Sequence, residues 1–160
     1  MKGEAMRAKT YLERIKKQDA QIDALNEEIA TLDAIAKKTT SVMGGERVQA
    51  STSQQKMADT VEKIVLLKAE LNAEIDKFIV YRNEALELIG EACDADCYKL
   101  IHKRYIGTYD EEKERIIFKT WEQIAVEIGF TYQWVSDGLH QRALAQVQKV
   151  LDERGETDNV

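Results

Sequence analysis

The sequence predicts an all-α protein, in which a long antiparallel helical hairpin of coiled-coil character precedes a C-terminal three-helix module with a helix-turn-helix. Two observations carry this prediction. The chain of 160 residues contains no proline, and 32% of its residues are charged. Long uninterrupted helices are therefore permitted, because proline removes a backbone donor and clashes with the preceding turn. Apolar residues also recur every seven positions in two long segments, which is typical of packed helices.

The first helix of the hairpin is predicted over about residues 5–39. Its apolar residues fall three, four or seven positions apart, so they form a single seam. These residues are Leu12, Ile15, Ile22, Leu25, Ile29, Leu32 and Ile35. The remaining positions are mostly polar or charged, as a solvated helix face requires.

The second helix of the hairpin is predicted over about residues 55–90, after a polar loop at 40–54 that contains Gly44 and Gly45. Its apolar stripe comprises Met57, Val61, Ile64, Leu67, Leu71, Ile75, Phe78, Tyr81, Ala85 and Leu88. Two matched helices joined by a polar loop indicate an antiparallel hairpin, and residues 1–91 are assigned to it. Because two helices alone bury little surface, we expect either self-association or docking of the hairpin on the C-terminal module.

Charge and composition restrict the classes of function. The formal net charge is −6, but residues 97–151 hold eight basic and seven acidic side chains. Such a module can bind DNA, although not through bulk electrostatics alone. The N-terminus lacks the apolar core of a secretion signal, and the longest apolar runs are four residues. We therefore expect a cytoplasmic protein with no membrane partner.

The C-terminal module is predicted over residues 92–152 and is followed by an acidic tail at 153–160. Asp94 or Asp96 can cap a third helix that covers Cys97 to about Tyr105. A charged loop at 107–119 follows. Within this loop, the apolar residues 116–118 can form a short strand or a buried clip.

Residues 120–136 have the features of a helix-turn-helix. Thr120 and Gln123 can form a capping box, Ile124 and Ile128 lie on the inward face of the first helix, and Ala125 is small where the two helices cross. Gly129 makes the turn, Phe130 fills the corner, Thr131 can cap the second helix and Val135 anchors it. The last helix is predicted from Tyr132 to about Asp152. An ordinary corner between two helices is the alternative interpretation.

These residues also carry a resemblance. The segments Leu100–Ile106, Thr120–Phe130 and Arg142–Leu144 resemble region 4 of sigma-70 factors. With the linker around residues 47–59, they more closely resemble an uncharacterised family of phage and prophage proteins from Gram-positive bacteria, over about residues 10–151. The resemblance implies a phage-type transcriptional regulator in a bacterial host cell, which binds promoter or operator DNA. Since sigma region 4 also contacts RNA polymerase, the polymerase is a further expected partner.

The sequence departs from this family in two places. Thirteen residues (107–119) separate Ile106 from Thr120, where the family has only a few. The last helix carries Asp137 and Gly138, lacks a basic residue before Arg142, and is one residue longer than expected between Val135 and Ala143. Glycine costs about 1 kcal/mol in a helix interior, and a carboxylate repels phosphate.

The predicted DNA-binding residues lie mostly at the start of the last helix, which would enter the major groove. Gln133 can read adenine, and His140 can donate to phosphate or guanine. Phosphate contacts are expected from basic side chains elsewhere in the module, and dimerisation would double them. The full predicted set is Thr131, Tyr132, Gln133, Ser136, Asp137, His140, Arg142, Lys149, Lys119 and Arg104. Trp134 is expected to pack rather than to stack on bases.

Other chemistry is weakly represented. Cys93, Cys97 and His102 are too few for a structural zinc site, which needs four ligands, so two reduced thiols are the simpler interpretation. No phosphate-binding loop or nucleophile motif is present in the sequence. We therefore expect a protein that is not an enzyme and has no cofactor, metal or small-molecule substrate.

Two functions remain open at this stage. The first is a homodimeric, DNA-binding transcriptional regulator encoded by a phage or prophage. The second is a non-catalytic helical interaction or assembly protein, including a subunit like the small packaging terminase, in which the helix-turn-helix serves only packing. The acidic character of the last helix favours the second.

Overall fold

The structure is a computed structural model that describes residues 7–42 and 50–155. Two long helices, α1 (Ala8–Val42) and α2 (Ala50–Ala92), precede the short helix α3 (Ala95–Ile101). Then come a π-helical segment (His102–Ile106), two short strands, β1 (Thr108–Asp110) and β2 (Arg115–Ile117), and helix α4 (Trp121–Ile128). A second π-helical segment (Trp134–Leu139) continues into α5 (His140–Arg154). The predicted all-α fold is confirmed.

The polar loop predicted at 40–54 is too long at both ends. Helix α1 continues to Val42, and α2 begins at Ala50. Serine and threonine disfavour helix only slightly, so an established helix continues through them. Thr39 accommodates its hydroxyl by donating to the Ile35 carbonyl oxygen at 2.9 Å. The predicted turn at Gly44 and Gly45, the first residues of the predicted first helix and the end of the acidic tail lie outside the described residues.

Residues 18–78 form one compact unit, here called the hairpin unit. The Gln18 side-chain amide donates to the Glu74 carbonyl oxygen at 3.3 Å, which places the beginning of this part of α1 beside the end of this part of α2. The two helices are therefore antiparallel. The predicted seam residues are half-buried, namely Ile22, Leu25, Ile29, Leu32, Ile64, Leu67, Leu71 and Ile75. Ile35 and Val61, which were also assigned to the apolar stripes, are each 48% exposed instead.

Residues 7–17 and 79–155 form a second compact unit, here called the C-terminal unit. Its core is drawn from all of its α-helices and from both π-helical segments. The fully buried apolar side chains include Leu12, Ile15, Leu88, Ile89, Leu100, Ile101, Ile106, Ile124, Val135, Ala143, Val147 and Leu151. The first turns of α1 thus belong to the same unit as the helix-turn-helix.

The helix-turn-helix has the local structure that its sequence predicts. Thr120 and Gln123 form the capping box at the start of α4. The Thr120 backbone N–H donates to Gln123 Oε1 at 3.0 Å, and the Gln123 backbone N–H donates to Thr120 Oγ1 at 3.3 Å. Gly129 ends α4 in the left-handed region, with φ of +79°. Thr131 Oγ1 then accepts a hydrogen bond from the Trp134 backbone N–H at 3.3 Å, so it caps the last helix, residues 132–154.

The last helix contains the second π-helical segment, Trp134–Leu139. A π turn holds one residue more than an α turn, and the sequence is one residue longer than expected in this stretch. The Trp134 ring lies over Gly138 so closely that a Cβ atom at position 138 would overlap it. The glycine that costs helix propensity is therefore the residue that makes room for Trp134, which packs on the helix although it is 44% exposed.

The loop predicted at 107–119 contains an antiparallel pair of strands. Tyr109 of β1 pairs with Ile116 of β2, so of the two alternatives expected for residues 116–118 the short strand is the one observed, at Arg115–Ile117. Asp94 caps α3 by accepting a hydrogen bond from the Cys97 backbone N–H at 3.0 Å. Of the two predicted caps, Asp94 is therefore the correct one.

Candidate nucleic-acid interface

The beginning of the last helix, residues 131–137, presents a polar, accessible edge, here called the reading edge because most of the side chains predicted to read DNA lie on it. Thr131, Tyr132, Gln133 and Asp137 are exposed, and Ser136 is half-buried. Val135, between them, is fully buried and anchors this turn in the core. The side chains predicted to read DNA therefore stand on a fixed backbone, with an amide, hydroxyls and one carboxylate directed away from the core.

This edge forms one wall of an open cleft of about 750 Å³. The other walls come from the first turns of α1, from the first π-helical segment and from the start of α4. Three basic, two acidic, four aromatic or imidazole and three neutral polar side chains line it: Lys9, Lys16, Arg104, Glu13, Asp137, Tyr105, Trp121, Tyr132, His140, Gln133, Ser136 and Gln141. All of these residues belong to the C-terminal unit.

Arg104 is the predicted phosphate contact that lies at the cleft. Its guanidinium carbon is 4.4 Å from the centroid of the Trp121 ring, a cation–π geometry. One guanidinium nitrogen also donates to the Lys119 carbonyl oxygen at 3.2 Å. The planar group is thus held in one orientation while being only half-buried, which suits it to an anionic ligand.

The other predicted basic contacts are placed elsewhere. Arg142 pairs with Asp94 at 2.6 Å. Lys119 pairs with Glu127, whose pKa is lowered by hydrogen bonds from Lys103 and Lys119. Lys149 is exposed but does not line the cleft. The expectation that basic side chains surround the reading edge therefore holds for Arg104 alone among the four.

The position of His140 does not fit its predicted role as a donor to phosphate or guanine. Its side chain is buried, its Nε2 and the Tyr105 hydroxyl share a hydrogen bond of 2.6 Å, and its ring centroid is 4.6 Å from that of Trp121. Burial, with further contributions from Lys9 and Arg104, lowers its pKa to about 4. Because the ring is buried and its Nε2 is already engaged by Tyr105, His140 supports the wall of the cleft instead of serving as an accessible phosphate donor.

Phe130 also departs from its predicted role. It was expected to plug the corner of the helix-turn-helix, but it is 40% exposed. Together with Val126 and Tyr132 it lines a shallow depression of about 420 Å³. The corner is instead closed by Ile124 and Val135, which are both fully buried.

Lys9, Glu13 and Lys16 are the charged cleft residues that sequence reasoning missed, and the predicted set also lacks Tyr105, Trp121 and Gln141. The spacing of the three charged residues, four and three positions, places them on one helix face, which was assigned to solvent. Only the packing of α1 shows that this face borders the reading edge. Tyr11, Leu12 and Ile15, which alternate with them, are buried and fix the orientation of this face.

The cysteine pair behaves as structural thiols. Burial, the first cause in both residues, raises the pKa of Cys93 to about 11 and that of Cys97 to about 12. A thiol that is protonated at neutral pH is a poor nucleophile and metal ligand. Among the described residues, no group of three or more histidine, cysteine or acidic side chains is arranged to hold a metal ion.

Comparison of the chain with protein-family models, curated proteins and solved structures finds no match. None of the helices within the described ranges combines the length and the apolar character needed to cross a membrane.

Proposed function

We propose that the protein is a DNA-binding transcriptional regulator of the phage or prophage type, which acts through its C-terminal helix-turn-helix. The observation that carries the proposal is the capped, accessible start of the last helix, where Gln133 and Ser136 stand beside the oriented guanidinium of Arg104. A helix N-terminal turn of this kind reads base edges in the major groove. The glutamine amide pairs with adenine, and arginine contacts phosphate or guanine.

The charge distribution supports a regulator of modest affinity. Asp137 and Glu13 oppose the three basic side chains of the cleft, and the chain carries a net charge of −6. Non-specific binding, which depends on phosphate neutralisation, should therefore be weak at physiological salt. Discrimination would come from base contacts and from two reading edges in a dimer.

Selection from a randomised duplex pool on the immobilised full chain tests DNA binding. We expect one sequence to be enriched and to be retarded in gel shifts more strongly than its scrambled version. Gln133→Ala should relax the preference at one base position, with a loss of roughly 1–3 kcal/mol for the selected duplex. Gln54→Ala, at an exposed position of the hairpin unit, serves as the matched control. No enrichment and no retardation, with no co-purification of RNA polymerase, would contradict the proposal.

Self-association is proposed through the hairpin unit. Most of its seam residues are only half-buried, and α2 carries Val61, Val65 and Leu66 with 48%, 61% and 64% of their surface exposed. Val61 and Val65 are four residues apart and therefore adjacent on one face. A second copy of the hairpin would cover this face and give a four-helix core, as bundles require.

A charged substitution on this face tests the dimer. We expect the full chain to elute at twice its mass of 18.3 kDa by size-exclusion chromatography with light scattering. Val65→Glu should shift it towards the monomer, because a carboxylate would be buried without a partner. Lys63→Glu, on the opposite side of α2, should leave the mass unchanged.

The second candidate function would give a different mass. The exposed apolar side chains of α2 also suit a helical assembly protein, including a packaging subunit. A large ring instead of a dimer would favour that class, and a monomeric wild-type chain would contradict self-association.

A further inference from the structure

The first turns of α1 border the reading edge and carry two accessible lysines. Lys9 and Lys16 are exposed, and both line the cleft with Gln133 and Ser136. They lie seven residues apart, which is about 10 Å along a helix. A DNA strand carries one phosphate per about 3.4 Å of helix axis. The two lysines are therefore far enough apart to contact different phosphates of a single strand.

This part of α1 is a rigid platform. Tyr11, Leu12 and Ile15 are buried beneath it, and the Ala8 backbone N–H donates to the Gln148 side chain at 2.8 Å. The Arg14 guanidinium carbon lies 4.3 Å from the Tyr11 ring centroid and contacts the Tyr81 ring similarly. The positions of the two lysine backbones relative to the last helix are therefore fixed before any ligand binds, which lowers the entropy cost of contact.

Each lysine has a defined neighbour. Lys9 Nζ lies 3.8 Å from Glu13, and both side chains are more than half exposed, so this ion pair is weak and easily exchanged for a phosphate. Lys16 Nζ lies 5.5 Å from the centroid of the Phe118 ring. Both lysines are exposed, and both line the cleft together with Gln133 and Ser136.

We infer that Lys9 and Lys16 contact the phosphate backbone of the duplex read by the last helix, and that Glu13 between them limits its affinity. This inference rests on the proposed function. A duplex docked against Gln133 and Ser136 must pass one of its strands along the cleft. The reason is that these two side chains line the same cleft as Lys9, Glu13 and Lys16. Helix α1 therefore supplies further contacts to the DNA backbone besides that of Arg104, in addition to its part in the hairpin.

The test measures fluorescence anisotropy of the selected duplex between 50 and 250 mM NaCl. For the double variant Lys9→Gln/Lys16→Gln we expect the slope of log affinity against log salt to fall by about 1.8, from about 0.9 per phosphate contact. Affinity at 0.1 M salt should fall at least about tenfold, while the ratio between selected and scrambled duplexes stays constant. Glu13→Gln should tighten binding several-fold, a gain that a folding defect cannot produce.

Lys56→Gln/Lys63→Gln removes the same charge from exposed positions of the hairpin unit and should leave the salt slope unchanged. If the wild-type chain binds the duplex but the Lys9/Lys16 variant keeps the same slope, the inferred α1 contacts are wrong while the regulator stands. If both double variants lower the slope equally, the effect is one of net charge and the inferred α1 contacts are again wrong. If the wild-type chain binds no DNA, the proposed function itself fails.

Discussion

Replacing Gly107 with alanine should lower the free energy of unfolding by roughly 2–5 kcal/mol, from backbone strain and overpacking together. Gly107 has φ of +77° and ψ of 166°, a region that only glycine populates readily. A Cβ atom there would also lie 2.6 Å from Ile116 Cγ2 and 3.0 Å from the Ile117 carbonyl oxygen. Since Ile117 contributes backbone, it cannot move aside without disturbing the pairing of β1 with β2.

Urea denaturation followed by circular dichroism measures this effect. Gly90→Ala is the matched control, because Gly90 lies within α2 and a Cβ atom there would meet nothing within 4 Å. That substitution should stabilise the protein by up to about 1 kcal/mol through helix propensity. Equal unfolding midpoints for the two variants would show that the turn at Gly107 is not strained by a side chain.

The stability of the C-terminal unit should decrease as the pH falls from about 6.5 to about 4, by about 3 kcal/mol from His140 alone. The folded protein holds the pKa of this imidazole at about 4, below its ordinary value of 6.5, mainly because it is buried. Below pH 6.5 the unfolded chain therefore takes up a proton that the folded chain refuses. Protonation draws the equilibrium towards unfolding until the folded form also titrates.

The measurement compares urea unfolding of the wild type and His140→Gln at several pH values between 7.5 and 4. Carboxylates such as Asp94, with a pKa lowered to about 2 chiefly by its hydrogen bond with Gln146, contribute equally to both proteins and cancel in the difference. His102→Gln is measured alongside, because burial also lowers the pKa of His102 and its own contribution to the pH dependence must be obtained separately. Parallel pH profiles for wild type and His140→Gln would refute the assignment of His140 as a buried neutral group.

Local features of the fold were predictable because short-range chemistry determines them. The capping box at Thr120, the left-handed turn at Gly129 and the cap at Asp94 each depend on hydrogen bonds or dihedral angles within a few residues. Heptad spacing located both long helices for the same reason. The ends of these helices were misplaced because weak propensities, unlike proline, do not terminate a helix.

The candidate site was only partly predictable, because its members come from distant parts of the chain. Arg104 and Gln133 were identified, but Lys9 and Lys16 precede them by about ninety residues or more, and only tertiary packing brings them together. His140 could have been placed correctly, since it lies three and seven residues before the buried Ala143 and Val147. Because histidine is polar, it was assigned to the surface, although its spacing indicates a core position.

The second π-helical segment has a consequence for how the last helix can change over evolutionary time. An extra residue in a continuous α-helix would rotate everything after it by about 100°, since each turn holds 3.6 residues. Here the wider turn between Trp134 and Leu139 accommodates it, so Val135 before it and Ala143 after it are both buried. An insertion in this turn can therefore alter the edge that faces the cleft, while α5 keeps its buried face in the core of the C-terminal unit.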